Sequence, residues 1–473
     1  MGYAFLACCI PGRRNSPQSS TDSRVKKGRQ LLLSSEPNWQ HPFLPIELIF
    51  QIIEHAYDDL DTAKSCALLC KICLPIAQAI LFERIKVQLP AQDVSVHTIH
   101  EHIASLVSHV RCLTLESIPF QKNALHALKL KDLVSITSLI PNLKKLRLNN
   151  LCLNFNGIVS SDNQDMSLPR QDSVKTVELR HLTILRLSPG ENHQPTIFEY
   201  LFTSFPAIQH LICVDIKNIR PSHRMASADI LAVPLRSLSY HGMNNFGSFF
   251  ESIRPFLNSI EIIDYAPYYG LSEFDEFRLL CESVSPKRLK VLRICIQPRT
   301  QLCTYTIRFQ FDARLMVNNP DGRNPAHPEN FWRTMGWQNY TTLHTIHIVI
   351  GMPTALFVSH ISILPFLPQS IRTIVFELAW NEVVESEPSL KWLDAPYMEK
   401  CVEEGLPSLE EIVFMPHYLG HTFTPLAQSS IRARLAILDA RGLLRIASVC
   451  KTVDWWQYEK PIRTYSQLGT RLT

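Results

Sequence analysis

Glycine is scarce in this chain. Its 15 occurrences in 473 residues are about 3%, against the roughly 7% of average proteins. Loops that cradle phosphates rely on glycine for close backbone approach, so nucleotide-binding loops are disfavoured. The sequence holds no G-x-S-x-G, Walker, H-E-x-x-H or G-x-G-x-x-G motif, and no spacing pairs a nucleophile with a base. Non-catalytic function is therefore expected. Charge is also sparse, at 19% against the usual ~25%. With 46% hydrophobic residues, the chain is expected to be globular with a large core. Long apolar runs are missing. The stretch from Leu356 to Leu367 is broken by Ser359, His360, Ser362 and Pro365, short of the ~20 residues of a membrane helix. The apolar run from Tyr3 to Ile10 precedes its positive charges, the reverse of a secretory leader.

Thirteen cysteines without paired spacings suit a reducing compartment, cytoplasmic and/or nuclear. The net charge of +4 comes from the first 40 residues. There Arg13, Arg14, Arg24, Lys26, Lys27 and Arg29 face only Asp22 and Glu36, so residues 41–473 carry no net charge. A body without a net field does not attract phosphate backbones, and no nucleic-acid partner is expected. Residues 1–40 read as a disordered basic tail. Three roles stay open for it: a solvated tail, a lipid anchor at Cys8 and Cys9, or an import signal built from Arg13-Arg14 and Lys26-Lys27-Gly28-Arg29.

Order begins near His41. Leu48, Ile49, Ile52, Ile53, Ala56 and Tyr57 recur at helical spacing opposite Glu47, Gln51, Glu54 and Asp58, with Pro45 suited to a first helical turn. A second helix is predicted from Thr62 to Cys73, a third from Ile76 to Phe82 after Pro75, and a short strand over Arg84–Val87.

Beyond these, the pattern L-x-x-L-x-L, with other aliphatics allowed, returns eleven times. It starts at Val110, Leu143, Val174, Leu182, Ile208, Leu235, Leu257, Leu289, Leu343, Ile371 and Leu409. Each unit predicts a strand preceded by a buried aliphatic and followed by a helix. Most starts lie 22 to 38 residues apart. The 8-residue step from Val174 to Leu182 is too short for a repeat and reads as rival registers or one hairpin; the 54-residue step after Leu289 implies an insertion near 297–342.

The run Leu44-Pro45-Ile46-Glu47-Leu48-Ile49, followed by Ile52-Ile53, Ala67-Leu68-Leu69-Cys70-Lys71 and Leu81-Phe82, resembles an F-box. It is similar to the version in fungal F-box proteins with irregular leucine-rich repeats. The resemblance implies an α/β chain: a three-helix F-box at 41–88, an irregular solenoid of strand-helix repeats with a curved parallel sheet at 89–460, and a tail at 461–473. It also implies the substrate receptor of a Skp-cullin-F-box ubiquitin ligase. Such a receptor binds a Skp-type adaptor, and through it a cullin, and holds an unknown protein substrate. Leu44, Pro45, Ile49, Ile52 and Leu68 match the apolar positions that such boxes present to the adaptor or pack between their helices. Ile72-Cys73 stands where the family usually has Ser-Trp, which motivates an alternative: an F-box scaffold working outside the ligase.

Substrate contacts are expected where alternate strand positions escape the core, at Lys145, Arg147, Glu178, Arg180 and Arg293. At Val349, Val375 and Val413 the equivalent positions are apolar, implying cover by C-terminal helices or an apolar groove. Two clusters suggest chemistry without supporting it. Cys66, Cys70 and Cys73 have a cluster-like spacing, but on a helix their ends would lie about 10 Å apart. His97, His100, His102 and His109 lack convincing further ligands. No cofactor or metal is expected.

Overall fold

The computed structural model describes residues 48, 51, 60–69, 73–89, 106–117, 127–154, 170–185, 197–219, 233–242, 246–266, 272–295, 332–350, 361–378, 393–416 and 423–447. Helix α1 (Leu60–Leu69) and helix α2 (Leu74–Phe82) form a pair, with Pro75 in the first turn of α2. Cys66, Cys73 and Ala77 are buried together between them. Leu48 and Gln51 are helical; Leu44, Pro45, Ile49 and Ile52 lie outside the described residues.

The repeats produce β1 (Arg84–Leu89), β2 (Cys112–Ser117), β3 (Ala127–Lys129), β4 (Lys145–Asn149), β5 (Cys152–Asn154), β6 (Thr176–Arg180), β7 (Thr183–Leu185) and β8 (His210–Val214). They continue with β9 (Ser237–His241), β10 (Ile262–Ala266), β11 (Val291–Cys295), β12 (Thr345–Ile350), β13 (Thr373–Leu378), β14 (Glu411–Pro416) and β15 (Leu444–Ile446). Twelve of them form one sheet in the order β1-β2-β4-β6-β8-β9-β10-β11-β12-β13-β14-β15. The pairings are parallel, as a strand-helix repeat requires. The strand predicted at Arg84–Val87 is the first strand of this sheet. β11 and β12 are direct neighbours, so no strand lies between them in the sheet.

Period-2 burial follows from the pattern itself. The two L-x-L positions stack across the sheet as aliphatic rows, one running through Leu113, Leu146, Val177, Leu211, Leu238, Ile263, Leu292, Ile346, Ile374 and Ile412. All are fully buried, each contributing on the order of 1.5–3 kcal/mol. Further along, the second row turns aromatic. Tyr240 stacks on Tyr265 with ring centroids 5.5 Å apart, and Phe376 on Phe414 at 5.2 Å. Helix α3 (Leu130–Ser138) buries Leu130, Leu133, Val134 and Ile136 against this core, and helix α4 (Ile197–Ser204) buries Phe198, Leu201 and Phe202.

Two sequence expectations need correction. The patterns at Val174 and Leu182 are neither rivals nor a hairpin: both are strands, in different sheets. β6 belongs to the long sheet and β7 to a second parallel sheet ordered β3-β5-β7. The turn between them is made by His181, with φ 50°, in the left-handed region where His, Asn and Asp are enriched among non-glycine residues. Asn150, Asp215 and Gly242 adopt the same conformation after β4, β8 and β9. Each of these four turn residues donates its N–H to the carbonyl that ends the next strand of the long sheet, from Asn150 to Arg180 (3.1 Å), His181 to Val214 (2.8 Å), Asp215 to His241 (2.9 Å) and Gly242 to Ala266 (2.9 Å). The second correction concerns β10. Ile263 aligns with Leu238, so its anchor is Ile260, three residues beyond the predicted Leu257; Leu257 lies in the 3-10 segment Arg254–Ser259.

Candidate functional site: the polar face of the long sheet

Residues that alternate with the buried rows point away from the helices and form the opposite face. In the first part of the sheet this face is basic. Its alternating positions on β1, β2, β4 and β6 hold Arg84, Lys86, Lys145, Arg147 and Arg180 against Glu116 and Glu178, and counting the residue preceding each strand the totals are eight cations against three carboxylates. Arg84, Lys86, Arg111, Lys144 and Lys175 are exposed. At the centre sits Glu178, fully buried. Arg147 donates to it through Nε at 2.7 Å, Arg180 donates through its own Nε, and Lys145 Nζ lies 3.4 Å away. Burial opposes ionisation of Glu178, but Arg180, Lys145 and Arg147 outweigh it and hold the carboxyl below its ordinary value. Nearby, Lys86 pairs with Glu116, which also accepts from Asn149 at 2.6 Å.

The sequence thus placed Lys145, Arg147, Glu178 and Arg180 on one patch, but Glu178 is not a contact residue. It is the buried anion that three cations share. Arg293 is a clearer correction. It is 2% exposed and lies in a buried ion network, not on an accessible surface. Its Nη1 donates to Asp264 at 2.7 Å, and its Nη2 lies 3.1 Å from Glu377. His241 Nε2 is 2.6 Å from Asp264, and His347 Nε2 is 2.6 Å from Glu377. Burial opposes ionisation of Asp264, yet Arg293 and His241 hold its carboxyl well below the usual carboxylate range. Burial pushes His347 down, against the pull of Glu377.

The later part of this face is mostly buried, with Glu411 and Arg445 partly exposed at its far end. Val349, Val375 and Val413 are buried, so of the two alternatives, cover or an open apolar groove, no open groove is found among the described residues; Val375 and Val413 cluster with Met415 and Ala447. Sequence reading missed Asp264, Glu377, His241 and His347. The signal was present in the alternate positions of adjacent strands, Asp264 opposite Arg293 opposite His347, but the shifted β10 register hid it.

One consequence is a pH dependence of stability. His210, on β8, is pushed down to about 4 by burial, with Arg236 and Lys145 adding repulsion. The folded state thus excludes a proton that the unfolded chain takes up below about pH 6.5. The stability contribution is whole above that pH and is lost as pH falls toward 4. Between pH 7 and 5, chemical unfolding should show a loss on the order of 1–2 kcal/mol from this residue, and His210→Gln should remove that part.

Among the described residues, no group of three or more His, Cys, Asp or Glu side chains is placed to hold a metal ion, and no helix is long and apolar enough to cross a membrane. His97, His100 and His102 lie outside the described residues. The N-terminal helices present one conspicuous apolar side chain: Leu68, on α1, is 88% exposed.

No protein-family model matches the chain, and no curated protein sequence matches it. Among solved structures, the chain is similar to the leucine-rich repeat-containing protein LegL7 from Legionella pneumophila, at 14% identity, covering 74% of this chain and 98% of that one, with a TM-score of 0.33. The strand order and register show a mixed α/β chain built on a long parallel sheet whose strands follow one another in chain order.

Proposed function

We propose that the chain is a non-catalytic substrate receptor of a Skp-cullin-F-box type ubiquitin ligase. Its N-terminal helices dock on the adaptor, and the sheet face holds a target protein. The observation that carries the reading is the pairing of two features on one chain. A short helical module with an exposed leucine, Leu68, leads directly into a long repeat sheet whose first four strands carry partly exposed cations while later positions of the same face are mostly buried. A solvent-exposed leucine on a helix that, among the described residues, packs one small cluster is a natural anchor for a partner. The role requires no bond making. Tethering alone raises the effective concentration of the target near a ubiquitin-loaded enzyme, to the millimolar range for suitable geometry.

Proximity labelling in cells, with and without proteasome inhibition, tests this reading. Adaptor and cullin should be labelled in both conditions, and a small set of further neighbours should rise when the proteasome is blocked. Labelling that never includes the adaptor contradicts the ligase role and favours a scaffold acting outside it, which the Ile72-Cys73 departure first suggested.

A further inference from the structure

We propose that the basic face of β1, β2, β4 and β6 binds an acidic, carboxylate-rich peptide segment of the partner protein. This rests on reading the chain as a protein receptor, and it adds the chemistry of what is received.

Three observations support it. Charge is distributed unevenly along a body with no net charge. The first four strands of the long sheet, with the residue before each, carry eight cations against three carboxylates, whereas the last four carry two against three. Such a concentrated field attracts anionic partners and raises their encounter rate. Second, the face already holds a carboxylate. Arg147 and Arg180 each bind Glu178 through Nε, while their side chains remain 37% and 43% exposed. A guanidinium has five N–H donors, and one bond to the buried anion leaves a second edge to offer a ligand. Fixing both forks on Glu178 also removes rotamer freedom before a ligand arrives, which lowers the cost of binding. Third, the outward positions of these four strands, from Arg84 and Lys86 to Arg147 and Arg180, include no aromatic residue. Single-stranded nucleic acids depend on such platforms for stacking, so the face favours carboxylates over bases.

The obvious variant, reversing Arg147 and Arg180, would surround buried Glu178 with like charge and damage folding. The informative variant spares them: Arg111→Ser/Lys144→Ser/Lys175→Ser removes exposed cations that stand just before β2, β4 and β6, contribute to the field along the face and do not hold Glu178. Fluorescence anisotropy with a labelled alternating glutamate-serine peptide should show binding to the full chain at about 50 mM salt that weakens at about 200 mM. The triple variant, with an unchanged circular dichroism spectrum, should bind about tenfold more weakly. The proposal is overturned if the wild-type chain does not bind the peptide at low salt, or if the triple variant binds equally well. It is also overturned if a labelled single-stranded oligonucleotide binds more tightly and displaces the peptide. A chain that binds the peptide but no adaptor keeps this inference and removes the ligase reading; the opposite result removes only this inference.

Discussion

Arg293→Ala should lower the stability of the full chain by about 3–5 kcal/mol, among the largest losses a single substitution can cause here. The side chain is 2% exposed and joins Asp264 on β10 to Glu377 on β13 across three strand boundaries. Removing it leaves two carboxylates buried on the same face with no guanidinium between them. Lysine is a poor substitute, because Arg293 meets Asp264 through Nη1 and Glu377 through Nε and Nη2 together, a fork that an ammonium cannot reproduce. The loss should come from uncompensated charge. Asp264→Asn/Arg293→Met/Glu377→Gln, which removes all three charges while keeping shape, should therefore recover to within about 1 kcal/mol of wild type. Urea unfolding followed by tryptophan fluorescence measures both. Equal losses in the single and triple variants would mean that shape, not charge, dominates at this position.

The second large effect belongs to the N-terminal helices. Stable interfaces of standard size concentrate their energy in a few apolar anchors. Pro45→Ala/Ile49→Ala should weaken adaptor binding by about 2–4 kcal/mol, or about 30- to 1,000-fold. Leu68→Asp should act in the same direction, since a charge would replace a leucine that is 88% exposed. Calorimetric titration of folded variants with the Skp-type adaptor reads this out. Wild-type affinity in the double variant would remove these residues from the docking surface.

The repeats were legible because their core is periodic: at most starts, as at Leu143 and Leu289, the strand lies where the recurrence of a buried aliphatic three and five residues later places it. The register failed at Leu257 because another aliphatic, Ile260, follows at a spacing that fits equally well. A one-dimensional pattern does not say which one starts the strand. The second sheet was illegible for a different reason. It depends on left-handed turns at Asn150 and His181, and the hydrophobic spacing that marks the Leu182 strand does not say that it leaves the long sheet. On the polar face, the residue type was readable but not its environment. Arg147 and Arg293 occupy the same position of the pattern, yet one stays partly open and the other is sealed. What differs is the neighbouring strand. Arg147 meets a single shared carboxylate among other cations, whereas Arg293 bridges two buried acids and stands opposite buried His347.

Native mass spectrometry of the purified full-length chain mixed with a Skp-type adaptor and a cullin tests the receptor assignment most directly. One copy of each in a single complex is the predicted result, with the chain lost from that complex when Pro45, Ile49 and Leu68 are substituted together. A chain that stays apart while adaptor and cullin assemble without it would contradict the assignment.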